Sequence, residues 1–106
     1  TNDGQFTDAT LDRKAYERMN LLAKDTEDDF IIAFVEKLIA IANIKIAIRG
    51  ARTNRDSAFY DCALIECDTL DVKELKDTAL KGEKEVIEYL LGTEYRESVD
   101  FIKDSN

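Results

Sequence analysis

The stretch from Asp29 to Arg52, DFIIAFVEKLIAIANIKIAIRGAR, runs for more than twenty residues without a proline and decides the fold. At about 1.5 Å per residue, a continuous helix over this range would be roughly 35 Å long. Residues 30–35 are all non-polar, so its first third is apolar on every side, as in a bundle centre or a membrane. Charges from Glu36 onward argue against a membrane span, which needs about 20 apolar residues. We therefore predict one long buried central helix and no insertion into a membrane.

Charged residues gather at both ends of this predicted helix. Acids occupy its start, between Asp25 and Asp29, and bases occupy its last turns. The bases, called here the basic island, are Lys45, Arg49, Arg52 and Arg55. Acids at the start of a helix and bases at its end suit the helix dipole, each contributing roughly 0.3–1 kcal/mol.

The spacing of the basic island also suggests an interface. Lys45, Arg49 and Arg52 fall at i, i+4 and i+7, so they share one face of the helix, where like charges repel slightly. No acid stands between Lys37 and Arg55, although the formal net charge of the chain is −8. Two interpretations stay open: the basic island docks on an acidic partner, or it pairs with carboxylates of its own chain.

Length and composition indicate a single helical domain. The chain has 106 residues, no proline and only four glycines, whereas a sheet protein would need more turn residues. Its acidic balance argues against nucleic acid and anionic membrane surfaces as partners. We expect an all-α fold, a compact bundle of about five to six helices around the long central one.

Hydrophobic periodicity and capping residues place the other helices. We predict helices over 8–24, 58–65, 72–80 and 83–91, and a last one that Thr93 caps and that ends at Lys103. In the first helix, one apolar stripe is predicted to face the core; it comprises Leu11, Ala15, Met19 and Leu22. The chain then divides into a disordered lead-in over 1–7, a single helical module over 8–103 and a tail over 104–106. It starts at Thr1 rather than Met, so we expect a fragment or a processed chain.

The usual constellations of catalytic and ligand-binding residues are missing from the sequence. Histidine is absent, and the glycines are too scattered to form a phosphate-binding loop. Cys62 and Cys67 would close only a very short disulfide loop, and we expect both to be reduced and half-buried in a cytoplasmic protein. We therefore predict no catalytic residue, no cofactor and no metal site.

Asn43 is a lone amide on an apolar part of the central helix. A buried amide needs hydrogen-bond partners, because leaving it without them costs about 1–3 kcal/mol. We favour a structural role for Asn43, as a polar tether from the helix to another helix or a loop. A binding contact is the alternative.

These residues resemble a known family, the C subunits of V-type (archaeal and bacterial A/V-type) ATP synthases, which are the counterparts of the eukaryotic d subunits. The likeness centres on Asn43-Ile44-Lys45 followed by Arg49-Gly50 on a long apolar helix. It extends from about residue 8 to 102, through Leu11-Asp12, Tyr16, Leu75, Lys81-Gly82-Glu83 and the run from Leu90 to Tyr95. One departure is Ala40, since the family often has an acid three residues before the asparagine.

The resemblance implies a fold and a function. Family members contain three similar helical modules, and this chain would be one of them, the middle one. They form a non-catalytic socket between the ring of membrane rotor subunits and the central stalk, peripheral on the cytoplasmic side. The partners implied are rotor ring subunits, central-stalk subunits and the other modules of the same chain. The basic island would supply part of a contact to the neighbouring modules or the stalk.

A second function of a different class fits the same residues. A free-standing acidic helical adaptor would bind a partner helix in a groove beside Phe30 to Leu38. The native length of the chain separates this adaptor from the socket. An enzyme would need a cleft that pairs carboxylates, which the sequence does not indicate.

Overall fold

The computed structural model describes residues 2–104, with side chains from residue 8 onward, and contains six α-helices in that range. In chain order they are α1 (Asn2–Asp25), α2 (Asp29–Arg52), α3 (Ser57–Ala63), α4 (Val72–Lys81), α5 (Glu83–Leu91) and α6 (Arg96–Asp104). No strand occurs within residues 2–104. The predicted all-α bundle is confirmed.

Helix α2 is the centre of the fold, with the bounds that the sequence predicts. Its start is fixed by Asp28, whose carboxylate accepts hydrogen bonds from the N–H groups of Phe30 (2.9 Å) and Ile31 (3.3 Å). Its end is closed by the Thr53 hydroxyl, which donates to the Arg49 carbonyl at 2.9 Å. All five other helices contact α2, so it carries most of the core.

The first turns of α2 are not buried, in contrast to the rest of the helix. Phe30 is 79% exposed and Phe34 is 56% exposed, whereas Val35, Ile39 and Ile44 are buried. The difference arises because α4, α5 and α6 pack on the later part of α2, which holds the larger core cluster. The early part contributes to a smaller cluster with Ala23 and Ile65. From Val35 onward the core-facing side of the helix is buried as predicted, whereas the side that carries Lys45 and Arg49 is exposed.

Helix α1 differs from its prediction in start and in orientation. It begins at Asn2, whereas the sequence predicts a disordered lead-in over 1–7. Leu11 and Leu22 of the predicted inward stripe are 61% and 56% exposed, and Ala15 and Met19 are exposed as well. The inward face instead contains small and polar side chains, namely Arg13, Tyr16, Asn20 and Ala23. Thr1, Ser105 and Asn106 lie outside the described residues, and the module boundaries at 8 and 103 stay predictions.

The second half of the chain follows its sequence signals closely. Asp71 caps α4 by accepting from the N–H of Glu74 at 3.1 Å, and α4 and α5 meet at Gly82, whose φ is 151°. Helix α6 starts at Arg96, later than predicted. The residues before it form a turn, because the Thr93 hydroxyl donates to the Leu90 carbonyl at 2.6 Å. Within residues 2–104, no helix combines the length and the apolar character needed to cross a membrane.

Gly50 allows α3 to approach α2 closely. A Cβ atom at this position would lie 2.7 Å from Cε1 and 2.8 Å from Cζ of Tyr60, and it would lie even closer to the Tyr60 hydroxyl oxygen. Tyr60 is itself buried in the core, and its Oη has no hydrogen-bond partner among the described residues. The missing side chain of Gly50 therefore makes the notch that the Tyr60 ring fills.

We expect Gly50→Ala to lower the free energy of unfolding by about 1–3 kcal/mol, because the added methyl group would need space that the Tyr60 ring already fills. Helix propensity alone would predict the opposite, a gain of about 1 kcal/mol for alanine. Urea denaturation measures the change. Gly92→Ala is the matched control, since a Cβ there meets the Tyr89 carbonyl at an ordinary 3.5 Å. A Gly50→Ala protein as stable as the unmodified one would contradict the packing argument.

Candidate interaction surface

A groove lies between α1, α2 and α3, with a cavity volume of about 640 Å³. Helix α2 and its capping residue supply the longest side of the groove, along a single helix face; these are Leu38, Ile41, Ala42, Lys45, Ile46, Arg49, Gly50 and the cap Thr53. Helix α1 supplies Asp8, Ala9, Asp12 and Tyr16. The segment around α3 closes the groove with Arg55, Phe59, Ala63 and Ile65. The groove is thus apolar along its floor and charged along its rims.

Three members of the basic island line this groove, and the fourth does not. Lys45, Arg49 and Arg55 are at its rim. The Arg52 guanidinium instead donates to Oε2 of Glu83 at 2.8 Å and to the Lys103 carbonyl at 2.7 Å. Its hydrogen bond to the Glu83 carboxylate raises the pKa of Arg52 and lowers the pKa of Glu83. Arg52 therefore joins α2 to α5 and α6.

Lys45 and Arg49 make no ion pair with any carboxylate among the described side chains of 8–104. Asp8 and Asp12 line the opposite wall of the groove, but neither comes within 4.0 Å of these two bases. Of the two interpretations of the basic island, pairing with carboxylates of the same chain therefore applies to Arg52 and not to Lys45 or Arg49.

Arg55 belongs to the α3 side of the groove. Its guanidinium carbon lies 4.7 Å from the centre of the Phe59 ring, a cation–π geometry. The Phe59 ring in turn meets the Tyr60 ring edge-on, with 5.4 Å between centroids. These ring contacts connect the charged rim to the Tyr60 notch on α2.

Asn43 is fully buried and hydrogen-bonds to both backbone groups of one residue. Its Nδ2 donates to the Ile65 carbonyl at 2.7 Å, and its Oδ1 accepts from the Ile65 N–H at 2.8 Å. A buried peptide unit outside a helix needs such partners. Because Ile65 also lines the groove, Asn43 fixes part of the groove wall.

Glu36 binds the same connecting segment two turns earlier on α2, a role that our sequence reasoning missed. Its carboxylate accepts from the N–H groups of Asp68 (3.1 Å) and Thr69 (2.9 Å) and from the Thr69 hydroxyl (2.6 Å). Burial alone raises the pKa of Glu36, but these hydrogen bonds outweigh it and lower the pKa below 4.5. The sequence signal that could have predicted this role is the spacing of seven residues between Glu36 and Asn43, which puts two polar side chains on the same face of an apolar helix.

Two tyrosines hold the segment between α3 and α4 from the other side. The Thr69 hydroxyl lies 2.6 Å from the Tyr95 hydroxyl and, since it donates to Glu36, it accepts from Tyr95. The Asp71 N–H donates to the Tyr89 hydroxyl at 3.0 Å. Residues 64–71, called here the tethered segment, are therefore fixed from α2, from α5 and from the turn before α6.

The two cysteines are free and half-buried, as predicted. Burial, together with the nearby Glu36 charge, raises the pKa of the Cys67 thiol to about 11. The Cys67 side chain packs against both core clusters, and a raised pKa is the opposite of what a nucleophilic thiol needs. Among the described residues, no group of three histidine, cysteine or acidic side chains could hold a metal ion.

A family model described as ATP synthase (C/AC39) subunit matches residues 1–106. The resemblance inferred from Asn43-Ile44-Lys45 and Arg49-Gly50 is thereby confirmed. Comparisons with curated proteins and with solved structures gave no match.

We expect Asn43→Leu to lower the free energy of unfolding by about 3 kcal/mol, because both backbone groups of Ile65 would be buried without partners. Leucine is a better helix former than asparagine, so helix propensity cannot explain a loss. Chemical denaturation measures the stability. Amide hydrogen exchange at Ile65 provides a local readout and should accelerate in the variant. Unchanged stability and unchanged exchange would contradict this assignment.

Glu36→Gln should lower the free energy of unfolding by about 1–3 kcal/mol at pH 7, since an amide carries no charge and has only one acceptor oxygen, so its NH2 group would face the Asp68 N–H donor. The loss should depend on pH. The pKa of Glu36 is lower in the folded state, so its stabilisation is complete above the ordinary value of 4.5 and fades as pH falls through the lowered folded value. Denaturation between pH 7 and 3 tests this, with the exposed Glu88→Gln as control. A difference that grows toward low pH would contradict the hydrogen-bond account.

Proposed function

This chain belongs to the ATP synthase (C/AC39) subunit family, and from that membership we propose that it acts as the non-catalytic rotor socket of a V-type ATP synthase or ATPase. The socket joins the membrane rotor ring to the central stalk and passes torque between ATP chemistry and ion movement. The observation that carries the proposal is the family match over the whole chain. The proposed location is peripheral, on the cytoplasmic side of the membrane.

The packing of α2 supports a role in torque transfer. A protein that transmits torque must resist deformation, and close-packed helices have low compressibility. Helix α2 contacts all five other helices, and Asn43 and Glu36 anchor the tethered segment to it. A load applied to one helix would therefore be shared by the others.

The exposed apolar residues support a chain that has neighbours in its native assembly. Phe30 and Phe34 are exposed on α2, Leu22 on α1 and Phe101 on α6. Phe30 and Phe34 are one turn apart on the same face of α2, and neighbouring exposed apolar groups are typical of a surface that another protein covers. We propose that the chain is one of three similar modules, with the other modules, the rotor ring and the central stalk as its partners.

The basic island provides a directional contact in this proposal. Complementary charge sets the register between partners more than it adds affinity. Lys45, Arg49 and Arg55 are at the groove rim, where a partner can reach them. Arg52 acts within the chain through Glu83 and Arg55 stacks on Phe59, so we assign the intermolecular role to Lys45 and Arg49.

The socket proposal is tested with an antibody raised against this chain, used on detergent-solubilised membranes of the source cells. We expect the antibody to recover ATP hydrolysis activity together with rotor and stalk subunits, and excess chain to block the recovery. The immunoblot band should lie near three times the mass of this chain and should pellet with membranes. A soluble band at about 12.1 kDa without ATPase activity would refute the socket and favour the adaptor.

The double variant Lys45→Glu/Arg49→Glu, made in the full-length protein, should weaken assembly of the complex while the helical circular dichroism stays unchanged. The matched control is Lys84→Glu/Arg96→Glu, which changes the net charge equally at exposed positions of α5 and α6 outside the groove. Recovery of stalk subunits by affinity purification is the readout. Equal recovery with both variants would contradict the assigned contact.

A further inference from the structure

The groove between α1, α2 and α3 has the properties of a docking site for one kind of partner. We propose that it binds a helical segment of a partner protein with an apolar face and two acidic side chains one turn apart. This inference rests on the basic contact proposed above and names what that contact takes up.

The groove follows one face of α2 for most of that helix. Its lining residues run from Leu38 on α2 to Thr53, which caps that helix, with Ile41, Ile46 and Gly50 between them. At 1.5 Å per residue this face is about 22 Å long, which corresponds to about four helical turns. A partner helix of four turns could therefore bury its apolar face along the whole floor.

The walls favour a helix over an extended peptide. Most of the groove is lined by α1, α2 and α3, whose interior N–H and C=O groups are bonded within each helix. No strand edge occurs within residues 2–104, so an extended peptide would find no backbone ladder to join. A helix satisfies its own backbone and needs only side-chain contacts from the groove.

The charges at the rim favour acidic side chains on that helix. Lys45 and Arg49 are one turn apart, both are exposed, and neither pairs with a carboxylate among the described side chains. Acids spaced i and i+4 on a partner helix would face these two bases. Asp8 and Asp12 on the opposite wall would disfavour acids on the side of the helix that faces α1. The expected partner is therefore acidic along one edge only.

A second copy of this chain is a weaker candidate for the groove. Its formal net charge of −8 opposes self-association over long range. We therefore assign the partner helix to another protein.

The test uses fluorescence anisotropy with a labelled synthetic helix of about four turns. The probe carries leucines at i, i+3, i+4 and i+7 on one face, and two glutamates four residues apart along one edge of that face. We expect saturable binding that Lys45→Gln/Arg49→Gln weakens roughly five- to tenfold, as two partly exposed charge pairs would. Lys84→Gln/Arg96→Gln should leave binding unchanged, and a probe with lysines in place of glutamates should not bind.

A second variant tests the floor separately from the rim. Leu38 is only partly buried, at one end of the groove, so Leu38→Glu should fold and yet weaken binding of the probe. The inference would be overturned if the unmodified chain did not bind the probe. It would also be overturned if neither the rim variant nor the floor variant changed the binding. Self-association that is blocked by Lys45→Gln/Arg49→Gln, without probe binding, would assign the groove to a second copy and also overturn it.

The outcomes separate this inference from the proposed function. If Lys45→Glu/Arg49→Glu weakens assembly of the ATPase but the probe does not bind, the socket stands and the helix-binding groove is wrong. If the probe binds as expected but the antibody recovers no ATPase, the groove stands and the socket is wrong.

Discussion

The structure depends on one buried pair, the Asn43 amide and the peptide groups of Ile65. An amide inside a helix that is otherwise apolar must find a donor and an acceptor, and the backbone of Ile65, outside a helix, offers both at one residue. This requirement brings the tethered segment against α2. Glu36 then binds the same segment at Thr69, and Tyr95 meets Thr69 from the opposite side. The segment that connects α3 and α4 thus becomes part of the core and one wall of the groove.

The sequence predicted those elements whose causes are local. The bounds of α2 follow from a capping aspartate and an uninterrupted apolar run, and Asp71 and Gly82 mark the ends of α4 in the same way. The prediction of which face of α1 points inward was wrong, because it assumed from the apolar periodicity that apolar residues turn toward the core. Here Arg13 turns toward α3 and donates to the Asp61 carbonyl at 2.6 Å, which leaves Leu11 exposed. No pattern within one helix encodes an acceptor that lies 48 residues away.

The same distinction applies to the candidate site. Spacing on α2 was enough to place Lys45 and Arg49 on one face, and both line the groove. It was not enough to place Arg52, because Glu83 and the Lys103 carbonyl are far along the chain and meet α2 only in the folded state. The need for a partner could be predicted for Asn43 from its surroundings, whereas its identity could not. Glu36 was overlooked because a charged residue in a helix is usually solvated.

The notch at Gly50 has a consequence for how this family can vary. The Tyr60 ring occupies the volume that a side chain at position 50 would need, so the two positions share one fixed space. Neither position can take a larger side chain unless the other takes a smaller one, because a close-packed interior does not expand to admit a methyl group. Among related chains, position 50 should therefore carry a side chain only where position 60 has lost its ring, and substitutions at the two sites should appear together as compensated pairs.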